Sequence, residues 1–261
     1  MGNPERGDYA WVGFSGDLPD RFASPFVRLG VTMPEKIADT LSRSVQDYLK
    51  TIYTLTRHGS PIGTMELAES LQVKPASVSN MLQKLDAHQP RLVDYQKHRG
   101  VTLTYEGEQA ALKVIRRHRL LEQFLFQILH YPWNEVHNEA EVLEHVISPF
   151  MEDRIAELLG EPQYDPHGEP IPNRALELVD HPQIAPLCEL DQGQSGLVRQ
   201  VDSHREDLLA YFTTIGLKPG MLIRVLQRNP LDGAQRIVLN DQSEEHIISP
   251  LIAQAILVSL S

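Results

Sequence analysis

The chain has 261 residues, a formal net charge of −11 and a single cysteine, Cys188. That length accommodates two or three small domains, each with its own core, and one cysteine excludes an internal disulfide or a multi-cysteine zinc site and fits a reducing, cytoplasmic setting. No apolar run approaches the roughly 18 residues that span a bilayer, and Met1 to Asp20 lacks the basic patch and apolar core of a secretory signal, so no membrane partner is expected.

An acidic chain does not exclude nucleic acid, because net charge says little about a local patch. From Lys74 to Arg119, nine Lys/Arg stand against four Asp/Glu. The remainder is strongly acidic, and carboxylates together with eleven histidines are donors for a cation site.

Residues 1–36 have neither helical nor strand periodicity and read as a disordered extension, with Met33 as an alternative initiator. From Ser42, Val45, Leu49, Ile52 and Leu55 recur at helical spacing, predicting an amphipathic helix that ends near Arg57–Gly59. A second helix runs from Thr64 to Leu71. Pro75 opens a third through Ala87, since a first helical position leaves its N–H unpaired anyway. LVDYQ (92–96) and VTLT (101–104), joined by a basic turn with Gly100, read as a hairpin. Helix, helix, turn, helix and hairpin in that order predict a winged helix-turn-helix over residues 37–104.

A long helix is expected from Tyr105 to Leu129, another from Asn134 to Ser148, and a third from Ser148-Pro149 to Gly160. These make a helical domain over 105–165. The prolines of residues 166–186 suggest a linker. From 187 to 261 short β-prone runs (GLVRQV, MLIRVLQR, QRIVLN, HIISPL) predict a small SH3-like barrel. The fold class is mainly α with a small β domain.

A recognition helix reads base edges with its first turns. Here that surface would be Lys74, Ala76, Ser77, Ser79 and Asn80, with Asn80 suited to adenine. Lys97, His98 and Arg99 at the hairpin tip would meet phosphates. Val78, Met81 and Leu85 read as core. A protein-interaction module is the competing reading of such a unit.

The segment HNEAEVLEH (137–145) carries the second signal. On one helix, His137, Glu141, Glu144 and His145 fit an arc of about 100°. Ala140, Val142, Leu143, Val146 and Ile147 occupy the opposite face. His118 and Glu122, four apart on the preceding helix, could face His137. Oxygen and imidazole donors suit Mn²⁺ or Fe²⁺, although other divalent metals would bind them. A solvated acidic face with incidental histidines is the competing reading. The absence of His-Glu-x-x-His disfavours a metalloprotease, and a metal-dependent hydrolase would leave the winged helix unexplained, so no enzyme activity is expected.

The wing, RRHRLLEQFL (116–125), VHNEAEVLEH (136–145) and PHGEPIP (166–172), in that order and spacing, resemble the diphtheria-toxin-repressor and manganese-transport-regulator family over roughly Ser44 to Ser261. The resemblance implies a homodimeric repressor of metal-uptake genes that binds palindromic operator DNA when metal is bound. It also implies an SH3-like, FeoA-type C-terminal domain. It places a primary metal site at Asp47, Glu141, Glu144 and His145, and an ancillary site at His118, Glu122 and His137, completed from the C-terminal domain; His204, Glu206 and Asp207 lie near the expected place, with a plain surface charge as the favoured reading of each. Asp47 lies opposite the apolar stripe of its helix, so only the resemblance makes it a ligand. Iron-responsive members are similar but have Met at position 47 and Cys at position 141. Asp and Glu there imply Mn²⁺ first, with an Fe²⁺-responsive or dual regulator as the alternative. Where some manganese members have a further glutamate, this chain has Lys50. Without metal, Asp47, Glu141 and Glu144 are expected to repel one another and leave the first helix loosely held.

Overall fold

The computed structural model describes residues 35–57, 59–179, 183–203 and 205–260. The expected N-terminal extension up to residue 34, and His204, lie outside the described residues. Helix α1 (Glu35–Thr40) begins inside the span read as extension, with Ala38 buried.

Helices α2 (Arg43–Thr56), α3 (Thr64–Ser70) and α4 (Pro75–Asp86) follow the predicted order. The wing is β1 (Val93–Gln96) paired antiparallel with β2 (Gly100–Leu103), and Ile62 bridges to Val101 as a third element. Leu49, Ile52, Leu67, Val78, Leu82, Leu92 and Val101 are fully or nearly fully buried in one core, so the helical stripes and the inner face of the wing converge as their spacing demands.

Helix α5 (Tyr105–Gln127) is capped by Thr104, whose hydroxyl accepts from Gly107 N. Gly107 is required there. A Cβ at this position would lie 1.8 Å from the Leu92 carbonyl oxygen, so the helix starts in direct contact with the wing. Helix α6 (Val136–Leu143) is shorter than the predicted Asn134–Ser148, because the chain turns before Ser148 caps α7 (Pro149–Leu158). The predicted apolar face therefore splits. Ala140 is buried and Leu143 and Ile147 are half-buried, whereas Val142 and Val146 are exposed, as are Phe150 and Met151.

Residues 166–177 are not a free spacer. His167, Ile171 and Leu176 are buried, and Arg116 and Arg119 donate to the carbonyls of Pro172 and Pro170, both at 2.6 Å. The prolines mark irregular backbone, but their carbonyl oxygens remain acceptors, and buried guanidinium groups use them.

The last domain is one antiparallel sheet in the order β3-β8-β4-β5-β6-β7: β3 (Ala185–Pro186), β4 (Ser195–Val201), β5 (Leu222–Arg228), β6 (Gln235–Leu239), β7 (Glu245–Ile248) and β8 (Ile256–Leu260). Register shifts in β4 and β5 bend the sheet around its core. Helices α8 (Glu206–Thr214) and α9 (Pro250–Gln254) were not anticipated; HIISPL is a strand that stops at Ile248, where Ser249-Pro250 caps α9. Trp133 and Phe126 of the helical domain pack into the core of this sheet domain.

Candidate metal centre and nucleic-acid interface

The α4 surface is placed as predicted. Lys74, Ala76, Ser77 and Asn80 are exposed and Ser79 is half-buried, while Val78 and Leu85 point into the core and Met81 packs against it. Lys97, His98 and Arg99 form the exposed hairpin tip, with His98 at φ 69° closing the turn. The basic balance of residues 74–119 is mostly not a surface patch, however. Arg116 and Arg117 are buried on Glu152, Arg117 also bonds Asp39, and Arg119 bonds Glu169. Lys113 joins Glu152, and Arg91 pairs with Asp86 and Asp94. Lys74, Lys84, Lys97 and Arg99 remain on the surface of α4 and the wing.

Three groups of donors converge where α2, α5 and the end of α6 meet. In the first, Asp47 Oδ1 lies 3.0 Å and Glu144 Oε1 3.3 Å from His145 Nε2. That nitrogen is buried and hydrogen-bonds to neither. On the other side of the ring, His145 Nδ1 lies 2.7 Å from Gln46 Oε1. The amide of Gln46 is itself held, donating to the carbonyls of Ala38 and Leu41. An amide oxygen can only accept, so Nδ1 donates to Gln46, and Nε2 is the ring atom turned toward the two carboxylates. Burial, with Glu144 and Glu141 adding to it, raises the Asp47 carboxyl even though His145 opposes the shift.

The second group is His118, Glu141 and Glu144, and the ammonium of Lys50 fills it. Lys50 Nζ is 2.5 Å from Glu141, 2.9 Å and 3.0 Å from the two oxygens of Glu144, and 3.2 Å from His118 Nδ1. Burial alone would raise Glu141, but Lys50 and then His118 bring it down to about 2. Lys50 and His118 thus place positive charge between Glu141 and Glu144, whereas Asp47 still feels the repulsion of both carboxylates, as expected.

The third group is His118, Glu122 and His137. Glu122 Oε1 is 3.0 Å from both His118 Nε2 and His137 Nδ1. Burial and Lys50 pull the His118 ring down, but Glu122 and Glu144 outweigh them and hold it at about 9. His118 and Glu122 are buried, since α5 packs its polar column against α6. Glu206 and Asp207 do not join this group: Glu206 accepts from Asn138, and Asp207 pairs with Arg205 on the exposed start of α8.

Sequence reasoning missed Gln46, read only as a helix position, and the cation role of Lys50. It also missed a fourth group, Glu122, Asp165 and His167, all buried. Two of its members lie in the Pro-rich span, where only PHGEPIP signalled anything.

None of the described helices is long and apolar enough to cross a membrane. Three family models match: the iron-dependent repressor N-terminal DNA-binding domain over residues 40–101, the iron-dependent repressor metal-binding and dimerisation domain over 104–173, and the FeoA domain over 185–260. The chain is 32% identical over 190 residues to the iron-dependent repressor IdeR of Mycobacterium tuberculosis, covering 68% of this chain and 81% of that one. It is 37% identical over 116 residues to the regulator MntR of Bacillus subtilis, covering 44% of this chain and 80% of that one. The solved structure of a manganese-dependent transcriptional repressor in complex with manganese superposes with a TM-score of 0.75 at 39% identity, over 83% of this chain and 100% of that one. A winged helix, a donor cluster at its junction with a helical domain, and these matches agree: the chain belongs to the iron-dependent repressor family of metal-dependent, DNA-binding transcriptional regulators, in its form with a C-terminal FeoA domain.

Proposed function

We propose that this chain is a cytoplasmic Mn²⁺-activated repressor of metal-uptake genes. It binds a palindromic operator as a homodimer, through Lys74, Ala76, Ser77, Ser79 and Asn80 of α4 and Lys97, His98 and Arg99 of the wing. The carrying observation is the buried, unbonded Nε2 of His145 between Asp47 of the winged helix and Glu144 of the helical domain. An orphaned imidazole nitrogen facing two carboxylates, with its tautomer set from behind, fits a divalent ion. Asp47, Glu144 and His145 would hold it, with Glu141 joining once released from Lys50. His118, Glu122 and His137 would form the ancillary site.

A bound divalent ion would supply two positive charges at the junction between α2 and the end of α6. Asp47 belongs to the DNA-binding domain and Glu144 and His145 to the helical domain, so ligation fixes one against the other. Exposed Val142, Val146, Phe150 and Met151 supply an apolar face for a second copy, which would set two α4 helices at a fixed spacing. Hard oxygen donors at positions 47 and 141 favour Mn²⁺ over later metals. A titration of DNA binding with Mn²⁺, Fe²⁺ and Zn²⁺ separates this from an iron-responsive regulator.

The test is selection of binding sites from random duplexes with Mn²⁺ present, followed by titration in Mn²⁺ and in EDTA. Mn²⁺ should tighten binding at least tenfold, and Asp47→Ala should abolish the difference while keeping the fold. Equal affinity in both conditions sinks the proposal.

A further inference from the structure

Helix α1 (Glu35–Thr40) supplies no donor to any of the groups above, and all of it but Thr40 precedes residues 40–101, the span of the DNA-binding family model. It is nonetheless tied into the protein on two sides. Ala38 is buried in the winged-helix core. The Asp39 carboxylate accepts from Arg117, a buried guanidinium of α5 that also donates to Glu152 of α7 at 2.9 Å. So docked, α1 and the residue after it turn two backbone carbonyls toward α2. One side chain takes both: Gln46 Nε2 donates to Ala38 O at 2.8 Å and to Leu41 O at 3.2 Å.

An amide side chain has two unlike ends. Carbonyl oxygens only accept, so the pair from Ala38 and Leu41 takes the NH₂ end and rejects the oxygen. With Nε2 held, Oε1 is the end that faces His145 Nδ1, 2.7 Å away. Gln46 is buried, so water is not at hand to take over either contact. Turning the amide over would set Oε1 against both carbonyls and NH₂ against His145 Nδ1, which would then have to accept. A neutral ring accepting at Nδ1 carries its proton on Nε2, the atom between Asp47 and Glu144. A protonated ring nitrogen has no lone pair for an ion. A His145 that ligates through Nε2 therefore needs an acceptor at Nδ1.

We propose that α1 is a positioning element of the metal centre. The carbonyls of Ala38 and Leu41 fix the Gln46 amide with its oxygen toward His145, and Asp39 is the latch that keeps α1 in place. This role rests on the Mn²⁺ site proposed above. The competing role for α1 is to cover apolar core and nothing more. The two differ at position 46. The carboxylate of Gln46→Glu has two equivalent oxygens, accepts from His145 whichever way it is turned, and so has no use for the α1 carbonyls.

Two substitutions in the full chain release α1. Asp39→Lys sets a like charge against Arg117, and Ala38→Glu places a carboxylate in the core. Loss of hydrogen-exchange protection at the Leu41 N–H, which donates to Ala38 O, verifies the release. Mn²⁺ affinity is then measured by chelator competition. Each substitution should weaken binding about 3–10-fold, less than the ~10–100-fold of losing an outer contact outright, because a freed amide still spends part of its time correctly turned. In a Gln46→Glu background the same substitutions should cost nothing. An equal loss in both backgrounds, or no loss in either, overturns the role of α1. The ¹⁵N spectrum of the His145 ring in EDTA gives a second readout without metal: Nδ1 protonated in wild type, and less so once α1 is released. An unchanged ring in a released chain overturns the role as well. Asp47→Ala in the same titration reports separately on the metal site; if it binds Mn²⁺ like wild type, that site is misassigned and the EDTA spectrum still decides on α1. Should Ala38→Glu not fold, Asp39→Lys, which leaves the apolar core intact, carries the test.

Discussion

Lys50→Met should make this protein bind Mn²⁺ more tightly. The Lys50 ammonium contacts Glu141 at 2.5 Å and Glu144 at 2.9 Å, two carboxylates of the proposed Mn²⁺ site. An ion that recruits them must first displace the lysine. Each charge-assisted hydrogen bond contributes about 1.5–3 kcal/mol. The Lys50 side chain is 17% exposed and Glu141 38% exposed, and the freed ammonium is hydrated, so part of that cost is recovered. The net barrier is then about 1.5–3 kcal/mol, or ~10–100-fold in affinity. Methionine keeps an unbranched chain of nearly the same length and removes the charge. The assay is competition against a chelator of known affinity, with thermal unfolding in EDTA run beside it. The expected result is Mn²⁺ affinity raised ~10–100-fold and a metal-free melting temperature lowered, because Glu144 stays buried with His118 as its remaining close cation. Unchanged or weaker Mn²⁺ affinity in a folded Lys50→Met variant would refute the reasoning that lysine and ion compete for one place.

Other consequences are as direct. Glu152 is buried and accepts from Lys113, Arg116 and Arg117, so Glu152→Ala, by removing the buried carboxylate that three cations share and leaving Arg116 and Arg117 only their contacts to Pro172 and Asp39, should cost about 3–5 kcal/mol in urea unfolding; a loss below ~1 kcal/mol would count against this network. Gly107→Ala drives a methyl into the Leu92 carbonyl and should destabilise the winged-helix unit by at least about 1–3 kcal/mol, read as earlier hydrogen exchange of the wing amides. Lys97→Ala and Arg99→Ala should each reduce the salt dependence of DNA binding by about one unit of slope; an unaltered slope with altered base preference would mean that the tip reads sequence instead of phosphate.

The winged helix was legible because each of its signals is local. The helical stripe of α2, Pro75 at the start of α4 and the β-prone runs flanking a basic turn depend on neighbours within a few residues. What failed was non-local. Residues 166–177 carry prolines and read as a linker, yet arginines some fifty residues earlier hold their carbonyls. Those same arginines inflated the basic balance expected to face DNA, because counting cannot see a buried guanidinium. Val142 and Val146 fit the apolar face of a single helix but lie on the surface, where burial would come from a second copy and not from this chain. The metal face was readable as far as His137 and Glu141 share a helix. Glu144 and His145 lie beyond the last turn of α6, so their placement depends on the turn and on α2. Lys50 looked like a missing ligand in the sequence, and only its reach across to Glu141 and Glu144 reveals it as a cation in its own right.

The position of Gln46 bears on how large any metal switch can be. A ligand shifts an equilibrium only by its differential affinity for the two states. Here α2 is joined to the α6 end by protein contacts alone, because Gln46 holds His145 while donating to Ala38 and Leu41. Part of the ordering is thus done by protein contacts, which limits what an ion at the proposed site would add. Gln46→Ala removes the acceptor that fixes the His145 tautomer, and loss of such an outer contact typically weakens metal binding ~10–100-fold. Gln46→Glu keeps an acceptor oxygen and should recover most of that affinity, even though it forfeits the bonds to Ala38 and Leu41. If both variants bind Mn²⁺ equally weakly, the contribution of Gln46 is to the packing of α1 against α2 and not to the imidazole. If both bind like wild type, the His145 ring needs no such guide. Recovery in Gln46→Glu alone is the outcome required by a junction poised around one oriented nitrogen.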